Sequence, residues 1–65
     1  FTERELDVLR ELISGDTDEM IAERLNLSVH TIKKHVKSMF RKTGCTTRTQ
    51  LAVMALESGI VVRGI

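Results

Sequence analysis

Lys33, Lys34, Lys37 and Arg41 recur at helical spacing and, together with His30, fall within an arc of ~100° on one helix face. From Ser28 to Arg48 there are six bases and no acid. A face of this kind attracts polyanions, and lysine ammonium groups donate to guanine O6 and N7 in the major groove of DNA. Other chemistry finds little footing. His30 and His35 are five residues apart, about 140° around a helix, so they do not hold one metal ion from the same face. Cys45 is the single cysteine, which leaves no disulfide framework and no cysteine-based zinc site. Its default role is that of a small buried hydrophobe. No nucleophile and base share a face, and there is no glycine-rich phosphate loop. The chain therefore reads as a binding module and not an enzyme, with no cofactor.

The elements that carry these residues are set by periodicity and caps. Thr2 with Glu5 forms a capping-box pair for a first helix over about residues 3–14, and Phe1 and Leu6 occupy the positions of a hydrophobic staple. Leu6, Val8, Leu9, Leu12 and Ile13 make its inner side. Thr17 caps a short second helix over about 18–25, with Ile21, Leu25 and Met20 inward and Ala22 facing a neighbour. Asn26-Leu27-Ser28 is a three-residue break in which Asn tolerates the left-handed region, Leu27 plugs the core and Ser28 caps the next helix. That third helix covers about 29–43, with Val29, Ile32, Val36, Met39 and Phe40 facing the core and the basic arc facing out. Thr47 with Gln50 repeats the capping-box spacing at a fourth helix over about 48–58. There Leu51, Ala52, Met54 and Ala55 face inward, while Thr49, Val53, Leu56 and Ile60 fall on the opposite side. No strand pattern occurs, so the expected fold is all-α: four helices in one domain, residues 1–65.

Charge sharpens the picture. The chain of 65 residues has a net charge of +1, yet residues 1–23 carry −6 and residues 24–65 carry +7. Glu3, Glu5, Asp18 and Glu19 sit at helix starts, where negative charge is stabilising. Asp7 and Glu11 lie on a solvated face. No apolar run reaches the ~18 residues of a membrane span, and no signal peptide is present. A cytoplasmic setting is expected, and the start at Phe1 suggests a piece of something longer.

A short helix, a three-residue turn and a longer helix with a basic face make a helix-turn-helix arrangement, since a major groove about 12 Å wide admits one α-helix. Here the residues resemble a known family. Phe1-Thr2-Glu3-Arg4-Glu5 with Val8-Leu9, then Gly15, Ile21-Ala22-Glu23-Arg24-Leu25, Ser28, Thr31-Ile32-Lys33, His35-Val36, Lys42-Thr43-Gly44 and Arg48-Thr49-Gln50 with Ala52 and Ala55 are similar to the LuxR/FixJ-type helix-turn-helix domains of bacterial transcription regulators. Thr43 departs from the family, which usually has Leu before this Gly, and bears on how the end of the third helix packs. The resemblance implies a tetrahelical domain that binds double-stranded DNA as a dimer. It further implies that the third helix reads the major groove, that the fourth commonly forms the dimer contact, and that a regulatory domain lies upstream. Response regulators of two-component systems fit better than autoinducer receptors. Other readings are a sigma-factor promoter-recognition region and a protein-interaction module using the fourth helix.

Residue roles are then expectations. Lys33, Lys34 and Lys37 read base edges. Thr17, Ser28, His30, Thr31, His35, Arg41, Lys42 and Arg48 contact phosphates. Thr49, Val53 and Leu56 form a homodimer face. RNA polymerase is a further expected partner, and no metal or membrane is.

Overall fold

Thr2 opens the first helix, as its spacing to Glu5 predicts. In the computed structural model, which describes residues 1–60, its hydroxyl accepts from the Glu5 N–H at 3.1 Å. Its own N–H donates to Glu5 Oε1 at 2.8 Å. Together these close the reciprocal capping box. Four helices occur in chain order: α1 (Glu3–Ile13), α2 (Asp18–Leu25), α3 (Val29–Thr43) and α4 (Arg48–Glu57). The expected starts hold at all four. The ends of α1 and α4 fall one residue earlier than expected, where Ser14 and Ser58 serve as C-caps. There is no strand among the described residues, and residues 61–65 of the expected 1–65 domain lie outside them.

Each helix start is a hydroxyl cap. Thr17 accepts from Met20 N–H at 3.2 Å, Ser28 from Thr31 N–H at 3.1 Å and Thr47 from Gln50 N–H at 3.1 Å. Such caps each contribute about 1 kcal/mol. The box at Thr47 is only half formed, because Gln50 Oε1 accepts from the N–H and hydroxyl of Thr46 instead. The turn between α2 and α3 depends on Asn26, the one non-glycine residue with positive φ among those described (φ 57°, ψ 44°). Asn adopts this left-handed geometry at less cost than other side chains. Gly44 ends α3 with φ 76°.

The core is built where the four apolar faces meet. Val8, Leu9 and Leu12 of α1, Ile21 and Ala22 of α2, Ile32, Val36 and Met39 of α3, and Leu51 and Ala55 of α4 are buried together. Leu6, Leu25, Leu27, Val29, Phe40, Cys45 and Met54 are among the partly buried residues packed around them. Each large member contributes about 1.5–3 kcal/mol through apolar burial. α1 and α3 each pack on the other three helices, so these two together form the centre of the domain. Two expectations are corrected. Met20 is 44% exposed instead of inward, because Ile21 and Ala22 take the interior of so short a helix. Phe1, the outer half of the expected staple, stays 40% exposed while Leu6 packs on the core.

Thr43 also settles its part of the fold. Its hydroxyl donates to the Met39 carbonyl at 2.8 Å and accepts from Cys45 N–H at 3.2 Å. A hydroxyl bridge therefore joins the last turn of α3 to the chain leaving it.

Candidate nucleic-acid interface

Ion pairing sorts the basic side chains into two groups. Arg4 and Arg10 both reach Asp7, at 3.7 and 3.3 Å. Arg24 spans Glu11 at 3.1 Å and Asp16 at 3.4 Å. Lys42 Nζ lies 2.7 Å from Glu5 Oε1. Arg48 pairs with the Asp18 carboxylate and also donates to the Asp16 carbonyl at 3.2 Å. Among the described residues, the lysines and arginines left without an ion pair are Lys33, Lys34, Lys37 and Arg41. All four are exposed and all lie on α3.

The geometry of α3 explains the sorting. With Ile32, Val36 and Met39 turned to the core, steps of about 100° per residue place Lys33, Lys37, His30, Arg41 and Lys34 in turn across the outward side. Beyond them, Ser38, Thr31, Lys42 and His35 lean back toward the start of α1. The first turn of α3 holds no acid and its last turn carries Arg41 and Lys42, which complements the negative C-terminal end of the helix. Thr17 and Ser28 are both exposed caps, and Ser28 Oγ lies 2.9 Å from Thr31 Oγ1. His30 is exposed and His35 half-buried.

Lys42 and Arg48, expected at phosphates, are thus already engaged with carboxylates inside the domain. Arg48 ties the first turn of α4 to that of α2. Lys42 belongs to a cluster that sequence spacing does not reveal. Glu5 is only 3% exposed, and it accepts from Thr2 N–H, from Ser38 Oγ at 2.7 Å and from Lys42 Nζ. Burial alone would raise its pKa. Lys42, Thr2 and Ser38 together outweigh burial and lower it from 4.5 to about 2. The capping box was the available signal for Glu5; the two partners on α3 required the tertiary fold. Glu11 moves the other way. The neighbouring Asp16 carboxyl, and then burial, raise its pKa, while Arg24 opposes the rise. Glu11 is therefore part of an ion cluster at the α1–α2 corner, not the simple solvated side chain expected.

Val53 and Leu56 of α4 are 46% and 38% exposed. A shallow groove of about 430 Å³ runs along α4 past Thr49, Gln50, Val53 and Met54. Thr49, Val53 and Leu56 therefore share an outward surface, away from the core residues Leu51 and Ala55.

The model for bacterial regulatory proteins of the luxR family matches residues 1–55. The chain belongs to the luxR family of bacterial regulatory proteins. This LuxR-family domain is 44% identical over 61 residues to the transcriptional regulatory protein YxjL of Bacillus subtilis, covering 94% of this chain and 28% of that protein. It is 41% identical over 56 residues to the nitrate/nitrite response regulator protein NarP of Escherichia coli, covering 86% and 26%. With the response regulator Rre1 of a Synechocystis strain it shares 40% identity over 60 residues, covering 92% and 26%. The chain thus spans about a quarter of the length of these relatives. It is a LuxR-type DNA-binding domain of the kind carried by response regulators and other transcription regulators. This family is one of transcription regulators, not an enzyme class. No helix among the described residues is long and apolar enough to cross a membrane.

Proposed function

We propose that this domain binds double-stranded DNA by laying α3 in the major groove, and that it does so as a dimer on a palindromic site. One observation carries the reading: among the described residues, the four lysines and arginines without ion pairs all stand on the outward face of α3. Lys33, Lys34 and Lys37 donate to base edges, each good contact discriminating by about 1–3 kcal/mol. Arg41 and His30 lie at phosphates on the same face. Thr17, Ser28, Thr31 and His35 add contacts from helix starts and from the edge of α3. Lys42 and Arg48 keep their carboxylate partners.

Two domains joined through Thr49, Val53 and Leu56 present two copies of α3, and half-sites then lie about 10 bp apart. The domain is the output module of a two-component response regulator, behind an upstream regulatory domain, in the bacterial cytoplasm where the chromosome and RNA polymerase are found. Its similarity to proteins named as response regulators supports this placement. Selection of bound sequences from a random duplex pool tests the reading. A palindrome with half-sites one helical turn apart is expected. Recovery of no shared sequence would refute specific recognition, and a single unrepeated half-site would refute the dimer.

A further inference from the structure

Glu5 is the one buried charged residue among those described, and its position is informative. It sits in the first turn of α1, yet two of its three hydrogen-bond donors, Ser38 and Lys42, belong to α3. These two are four residues apart and share a stripe of the helix with Lys34, at the border between the outward basic arc and the side that leans on α1. A cleft of about 430 Å³ lies along this border, lined by Glu5, His30, Thr31, Lys34 and Lys42 among others. With Ile32, Val36 and Met39 turned to the core, a single bond to a side chain off the helix axis resists roll but still lets the helix pivot about that point. Two bonds from one carboxylate to positions one turn apart resist both.

We propose that Glu5 is a positioning residue for DNA recognition: it fixes the roll of α3 so that Lys33, Lys37 and Arg41 face the groove, and it withholds Lys42 from DNA phosphates. The carboxylate is preorganised by the Thr2 N–H at 2.8 Å and by burial. A DNA phosphate competing for Lys42 would leave this charge buried and short of a partner, which is strongly unfavourable. Lys42 therefore adds to the formal charge of α3 without adding to its DNA contacts. The edge of the footprint is set by α1, a helix that itself need not touch DNA. This rests on the reading of α3 as the DNA-contacting helix.

The test compares Glu5→Gln, Lys42→Met and Arg41→Met with the unsubstituted protein, by fluorescence anisotropy against a selected duplex and a random one over a salt series. Glu5→Gln keeps the shape but loses the charge that holds Lys42. It should weaken binding to the selected duplex about tenfold, keep random binding within about twofold, and steepen the salt slope by about 0.9 per domain as Lys42 is released. Lys42→Met should leave the salt slope unchanged, whereas Arg41→Met should make it shallower by about 0.9. Parallel loss on both duplexes for Glu5→Gln, or unchanged discrimination, overturns the proposal. So does a shallower slope for Lys42→Met, and that arm stands even if Glu5→Gln fails to fold, as thermal melts will reveal. Failure of the unsubstituted protein to bind either duplex would instead refute the underlying reading of α3.

Discussion

Glu5 makes the clearest case at the scale of single residues. Its carboxyl has a pKa of about 2 in the folded domain against 4.5 in the ordinary case. A lowered carboxylate pKa means stability that is present above pH 4.5 and lost as pH falls from there toward 2. With Lys42 half exposed to screening, the contribution is about 1–2 kcal/mol. Thermal melts should therefore show the protein losing stability over this interval, and Glu5→Gln should lose less of it over the same range. An identical acid profile for the variant would contradict the pairing. The base-reading residues give a second expectation. Lys37→Ala should weaken binding to a selected duplex more than to a random one; equal loss on both would make Lys37 a phosphate contact. The outward set Lys33, Lys34, Lys37 and Arg41 was legible in the sequence, because it needs only helical spacing and the absence of acids. The partners of Lys42 and Arg48 were not, because Glu5 and Asp18 lie 37 and 30 residues away and are brought close by packing alone.

Elements were more legible than side-chain partners, for a physical reason. Caps act over three or four residues, so Thr2, Thr17, Ser28 and Thr47 could be placed from spacing alone. Each is the cap of its helix in the structure. Spacing could not give the competition for the interior, which left Met20 outside while Ala22 went in. The α2–α3 turn is the sharpest local commitment. Asn26→Val should cost about 1–2 kcal/mol in chemical denaturation, because a β-branched residue at positive φ is strained. Asn26→Gly should be close to neutral. If valine were tolerated as well as glycine, the turn would not require a left-handed residue. Loosening this turn alters the angle between α2 and α3, so DNA affinity should fall along with stability.

For the whole molecule, the near-cancelling net charge is spatially divided. Glu5, Asp7, Glu11, Asp16 and Asp18 pair with Arg4, Arg10, Arg24, Lys42 and Arg48, and Glu3 and Glu19 stand in the first turns of α1 and α2. Among the described residues, the lysines and arginines that remain unpaired gather on α3, while α4 offers Val53 and Leu56 on another side. If those two surfaces do the work of DNA binding and dimerisation, Val53→Asp should lower the sedimentation mass at high protein concentration. It should also reduce affinity for a two-half-site duplex far more than for a single half-site. DNA binding by α3 through its unpaired cations has a direct signature in salt dependence. Titration of duplex DNA from about 50 to 200 mM salt should give a linear fall of log K with log salt. Arg41→Met should make that fall shallower, and Lys42→Met should not. A salt-independent affinity, or a slope untouched by Arg41→Met, would contradict it.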